Sequence, residues 1–126
     1  MLFCLNVQDT RYHYVRKIFT GEKPVETRTI ESVKRMLMTG QLHRGDRIGI
    51  VSNSLLYGTV TARNLIFYFT EDEFRMDANR HLVPEGSRYW FDEKKGKIGI
   101  ELSDPMLLDS PIQLEKMSHA SGFRIV

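Results

Sequence analysis

The 126 residues are 41% hydrophobic and 27% charged and carry a net charge of +2, a balance that excludes a disordered polyelectrolyte and a long duplex-wrapping basic protein. No apolar run approaches the ~20 residues needed to cross a bilayer, and the amino terminus lacks a basic region followed by a long apolar one. The expectation is a single cytoplasmic domain spanning residues 1–126, with no membrane partner.

Residues 2–8 alternate as a first strand carrying the single cysteine, Cys4, which is expected to be a buried structural thiol. Asp9 or Thr10 then caps a helix running to about Thr20, with Gly21 as its stop. In that helix Tyr12, Val15, Ile18 and Phe19 form an apolar stripe, leaving His13, Arg16, Lys17 and Thr20 outward. A short strand follows, and then a helix over 31–39 with Ile30, Val33, Met36 and Leu37 inward, Lys34 and Arg35 outward, and Gly40 as its end.

Gly45 and Asp46 turn the chain into a strand over 47–51. Residues 57–69 read as a long strand whose inward parity switches from Val60 and Ala62 to Leu65, Phe67 and Phe69, which predicts a β-bulge near Arg63 and Asn64. Thr70 with Glu73 has the capping-box form and starts a short helix to about Asn79. Residues 81–96 are irregular, ending in a charged run over 92–97 that reads as a solvated loop. The last third supplies a strand over 98–102, a turn at Asp104 and Pro105, a strand around Gln113, and a final strand over 122–126. Long strands without regular crossover helices predict an α+β fold, a small curved and mostly antiparallel β-barrel with two or three flanking helices.

Charge is uneven along the chain. Residues 1–50 hold nine Lys/Arg against five Asp/Glu, and residues 51–126 hold nine against eleven. The basic excess surrounds the stretch between the first helix and the second strand, where Gly21, Lys23, Glu26 and Arg28 spell GxKxxExR. Strand alternation puts Glu26 and Arg28 on one face and Val25 and Thr27 on the other, with Lys23 at the strand entrance before Pro24.

That pattern resembles the hallmark of ASCH domains, members of the PUA-like group of RNA-associated β-barrels. Further family-like pieces are Gly45-Asp46-Arg47-Ile48, Gly58-Thr59-Val60, Leu102-Ser103-Asp104-Pro105 and Ser110-Pro111-Ile112. The resemblance implies a PUA-like barrel with RNA or a modified nucleotide as partner. The implied ligand site is Lys23, Glu26 and Arg28, with Arg16 and Lys17 on the adjoining basic helix face and Tyr89 and Trp90 as stacking groups. Guanidinium suits phosphate, and carboxylate accepts from exocyclic base amines.

One branch of the family hydrolyses N4-acetylcytidine with a motif resembling GxKxxTxR, whose lysine and threonine act with a later glutamate. Here Lys23 matches the lysine and Glu26 stands at the threonine. An enzyme would use Lys23 to polarise an amide and Glu26 as general base, with Glu71 or Glu73 as the later carboxylate. Two plainer readings stand beside these: an interaction module without catalysis, and a structural ion pair between Glu26 and Arg28. Among the aromatics Tyr57, Tyr68, Tyr89, Trp90 and Phe91 are candidate base stackers; Tyr68 falls in a run that reads as buried sheet, and Tyr89, Trp90 and Phe91 are the better candidates, either as ligand stackers or as a barrel cap. His13, His43, His81 and His119 are scattered without metal-ligand spacing, and no phosphate-binding glycine loop occurs, so no metal and no cofactor are expected.

Overall fold

The computed structural model describes residues 2–9, 11–38, 42–116 and 123–126, so Thr10, Thr39, Gly40, His119 and Gly122 lie outside the described residues. Its elements are β1 (Phe3–Asn6), α1 (Tyr14–Thr20), β2 (Val25–Arg28), α2 (Ile30–Met38), β3 (Arg47–Ser52), β4 (Leu55–Tyr68), α3 (Glu71–Met76), α4 (Ala78–His81), β5 (Lys97–Gln113) and β6 (Phe123–Ile125). The six strands form one sheet in the order β2-β5-β4-β3-β1-β6, curled into a half-barrel. Every neighbouring pair is antiparallel except β1 and β3, where Cys4 and Leu5 pair with Gly49 and Ile50. A parallel pair needs a crossover, and the α1-β2-α2 segment provides it.

The inner face is filled by Leu5, Ile48, Ile50, Val60, Ile100 and Leu102, closed from outside by Val15, Ile18 and Met36 of the helices. Burying a side chain of this kind is worth about 1.5–3 kcal/mol. Cys4 is sealed in a small side cluster with Val51 and Leu56, and burial pushes its thiol pKa up.

Helix α1 starts later than the sequence implies. His13 takes a left-handed φ of 56°, so the helix begins at Tyr14. Asp9 nevertheless supplies the cap, accepting from the Val15 N–H at 2.9 Å. Gly21 ends the helix with φ 84°, its N–H bonded to the Ile18 carbonyl. In α2, Val33 and Met36 are buried as expected, but Ile30 and Leu37 are substantially exposed.

The bulge at Arg63 and Asn64 is present: the β4–β5 register shifts between Ala62 and Leu65. The parity after it is only partly as expected. Leu65 reaches the main core, whereas Phe67 and Phe69 run past its end at 49% and 76% exposure and stack on each other at 6.2 Å. Tyr68, on the opposite parity, is buried against Phe74 and Val83 in a second cluster. The Thr70 cap is formed, with Glu73 N–H donating to Thr70 Oγ1 at 3.1 Å, but the helical run breaks at Asp77 into α3 and α4. Asp104 and Pro105 do not reverse the chain. β5 is one 17-residue strand, and Asp104, at φ 50°, absorbs a second register shift against β4.

Candidate functional site

The GxKxxExR motif folds as a hinge between α1 and β2. After the glycine stop, Lys23 N–H bonds to the Lys17 carbonyl at 2.9 Å, turning the chain back along the helix end. Pro24 then offers its carbonyl to Leu102 N–H at 2.8 Å, and β2 pairs with β5 from Val25↔Glu101 to Arg28↔Ile98. Glu26 and Arg28 emerge side by side, Oε2 to Nη1 at 3.2 Å.

Lys23 is wholly buried, at 0% exposure, rather than standing at an open mouth. Its ammonium donates to the Val25 carbonyl at 3.0 Å and to the His81 carbonyl, and it pairs with Glu26 Oε1 at 3.3 Å. Three donors therefore meet three acceptors. The ring of Tyr14 covers the ammonium, centroid to Nζ at 4.5 Å, while its hydroxyl donates to the Leu82 carbonyl at 2.8 Å. Arg28 donates to the Asn6 carbonyl at 2.6 Å and the Thr27 carbonyl at 2.7 Å.

Electrostatics follows from this geometry. Burial raises the Glu26 carboxyl, but Lys23 and Arg28 together overcome it and hold the group below the ordinary carboxylate range. Burial lowers Lys23, with Glu26 opposing. Burial and the Glu26 charge push Tyr14 up to about 12. His81 is buried and stacked on Phe74 at 4.0 Å; its Nδ1 accepts from Val83 N–H at 2.9 Å, so its Nε2 carries the proton toward the Phe74 carbonyl at 2.7 Å. Burial lowers its pKa.

The remaining expected residues divide. Arg16 is exposed and Lys17 half-buried, and neither lines the tyrosine groove described below. Trp90 packs edge-on against Phe74 at 4.9 Å and donates to Glu71 at 2.8 Å, so it caps the second cluster. Neither later carboxylate joins the motif: Glu71 serves Trp90 and Arg75, and Glu73 accepts from Phe69 N–H at 3.1 Å. Tyr57 packs on the main core.

Tyr89 does line a groove of about 390 Å³, with Gln8, Arg11, Tyr12, Tyr14, Ser87 and Arg88. Tyr12 and Tyr14 stack at 5.3 Å, Arg11 lies 5.8 Å from the Tyr12 ring centre, and Arg88 lies 5.0 Å from that of Tyr89. The Tyr89 hydroxyl donates to Gln8 at 2.5 Å, bridging the two sides. Tyr14 belongs to both places: one part of it lines this groove and its ring covers Lys23. Sequence reasoning missed Tyr12, Tyr14, Arg11 and Arg88 because the groove joins segments about eighty residues apart, the span of the Gln8–Tyr89 bond. It also missed the network that ties α4 to β4 and β5, in which Arg80 grips Asp77 at 2.6 Å and Glu101 at 2.9 Å while Tyr68 donates to Asp77. Among the described residues no group of three His, Cys, Asp or Glu is placed to hold a metal, and no helix is long and apolar enough to cross a membrane.

No family model matches the sequence and no curated protein matches it. Solved structures do share its shape. The ASCH protein of Zymomonas mobilis superposes with a TM-score of 0.66 at 15% identity, over 89% of this chain and 73% of that one. Two single-site variants of that protein each give a TM-score of 0.67 at 15% identity, over 89% of this chain and 75% and 73% of theirs. A hypothetical protein gives 0.53 at 21% identity, over 80% of this chain and 97% of its own. The curled sheet, the α1 hinge and the paired Glu26 and Arg28 thus sit in an α+β half-barrel that shares the fold of the ASCH protein.

Proposed function

We propose that this chain binds single-stranded RNA or a modified nucleotide in the groove between residues 8–14 and 87–89. One observation carries the reading: Arg11 lies over Tyr12 and Arg88 over Tyr89, and Tyr12 in turn stacks on Tyr14, all along one groove. Bases stack on aromatic faces and arginine answers phosphate, so the lining has the two components that such ligands require. In this reading Lys23, Glu26 and Arg28 do not touch the ligand. They lock the hinge that holds Tyr14 in the groove wall. The lone buried thiol of Cys4 suits a reducing compartment such as the cytoplasm.

Fluorescence anisotropy with a short labelled single-stranded RNA tests this. Tyr89→Ala should cost about 1–3 kcal/mol of binding, and Arg88→Ala should lower the salt slope by about one. Undiminished binding in both variants would sink the proposal. Incubation with N4-acetylcytidine runs beside it: release of cytidine would make the fold an enzyme, and its loss in Lys23→Met and Glu26→Gln samples that still unfold cooperatively would assign the chemistry to those two residues.

A further inference from the structure

The bond that bridges the tyrosine-lined groove also fixes what the groove offers a base. Tyr89 Oη and Gln8 Oε1 lie 2.5 Å apart. Hydroxyl-to-oxygen bonds run at about 2.5–3.0 Å, whereas N–H donors stay at about 2.7 Å or beyond, so the atom that the amide turns to Tyr89 is its oxygen. A side-chain amide carries its acceptor at one end and its two hydrogens at the other. With the oxygen held by Tyr89, Gln8 has its Nε2 donors left, and among the described residues no hydrogen bond occupies them.

The rest of the lining has the same bias. Arg11 and Arg88 carry donors only. Ser87 Oγ already accepts from Tyr89 N–H at 3.3 Å, and the Tyr14 hydroxyl gives its proton to the Leu82 carbonyl. Among the described residues the lining holds no carboxylate and no histidine, and Gln8 is its one amide side chain. Glu26, the carboxylate of the motif, is outside this lining and closed in by Lys23 and Arg28. Adenine sets an amine beside N7, and reading that edge takes the acceptor and the donor of a free amide together. Guanine sets two acceptors there, O6 and N7, and takes two donors. The hydroxyl oxygens of the groove accept singly and do not reproduce the paired acceptor and donor of an amide.

We infer that the groove selects guanine over adenine, with Gln8 and Arg11 donating to O6 and N7 and Tyr89 acting as the lock that withholds the Gln8 oxygen. This selectivity rests on the tyrosine-lined groove being the RNA site. Gln8 and Arg11 stand on the wall formed by residues 8–14, while Arg88, on the facing wall, keeps its part as a phosphate contact common to every base. Tyr89 then has two parts: its ring stacks on any base, and its hydroxyl, acting through Gln8, decides which base is read.

Anisotropy with a labelled hexa-adenylate, and with the same strand carrying one central guanosine, inosine or 7-deazaguanosine, tests the inference. The guanosine and inosine strands should bind about tenfold tighter than hexa-adenylate, the low end of what a two-bond base contact is worth. The 7-deazaguanosine strand lacks N7 and should lose most of that gain. Gln8→Glu, at an exposed position, exchanges donors for acceptors and should lower the guanosine-to-adenosine affinity ratio about tenfold. Tyr89→Phe keeps the ring and frees the amide to turn, so adenosine should gain and the ratio should fall at least about threefold. Arg88→Ala should weaken all four strands alike, since each carries the same phosphates. Equal affinity of the parent chain for the guanosine and adenosine strands overturns the selectivity and leaves the groove as the RNA site, and a ratio unmoved by Tyr89→Phe overturns the lock. Failure of all four strands to bind overturns the groove and the selectivity together.

Discussion

The ammonium of Lys23 donates to the backbone carbonyl of His81, a residue 58 positions later, and so fastens the entrance of β2 to the end of α4. A charged side chain acts here as an interior tie, closed by the Val25 carbonyl and the Glu26 carboxylate. Removing either end should therefore be felt as a loss of fold.

Lys23→Ala strands the Glu26 charge beside Arg28 and leaves two buried carbonyls without their donor. Breaking a buried pair in this way typically costs about 3–5 kcal/mol. Urea denaturation should show that loss, with the slope unchanged; a change below about 1 kcal/mol would mean that the buried network is not holding the hinge.

Acid should weaken the fold in two windows. The folded pKa of His81 is lowered from 6.5, so the unfolded chain takes up the extra proton first and stability falls as pH drops below 6.5. Glu26 is lowered from 4.5; its contribution is complete above that value and is lost as pH falls through the folded pKa. Stability measured by denaturant titration from pH 7.5 to 3 should steepen below 4.5 in the parent chain. In Glu26→Gln the slope of the lower window should diminish but persist, because Asp77 and Glu101, held low beside Arg80, titrate there too, while the His81 window remains. A parent profile without slope below pH 4.5 would contradict the ion cluster.

Tyr89 and Trp90 both touch the second cluster but differ in weight: Trp90 packs edge-on against Phe74, and Tyr89 also lines the groove. Trp90→Ala removes a ring that packs on Phe74 and should cost about 3 kcal/mol of stability, toward the low end for buried aromatics because the ring is partly exposed. Tyr89→Ala, whose half-buried ring only flanks that cluster, should cost less, about 1–2 kcal/mol, and act mainly on RNA binding. Thermal melts and anisotropy on the same two samples separate the effects, and the reverse assignment would place the ligand at the barrel cap.

Gly58 tests the β4–β5 ribbon. A Cβ there would meet the Met106 carbonyl oxygen and, at 2.8 Å, a ring carbon of Phe19. Gly58→Ala should destabilise by about 1–3 kcal/mol, the usual cost of overpacking. A melting temperature equal to the parent's would show that the ribbon can spread without loss.

The sequence by itself determined the features that depend on near neighbours. Strand alternation put Glu26 beside Arg28, a parity switch located the bulge at Arg63 and Asn64, and the Thr70 and Glu73 spacing marked the start of α3. Gly21 ended α1 because a left-handed residue is easiest for glycine. Tertiary structure alone decided what lies inside. Nothing local distinguishes Phe67, which runs past the core, from Leu65, which reaches it, since burial depends on which distant element covers each face. Lys23 looked like a surface charge until α4 brought it a carbonyl, and Tyr14 looked like helix filler until the loop at 87–89 made it a groove wall. Lys97 read as one charge in a solvated run; pairing of β5 with β4 leaves the residue only 7% exposed. Local backbone rules are written in adjacent residues, whereas desolvation is set by contacts that only the closed barrel creates.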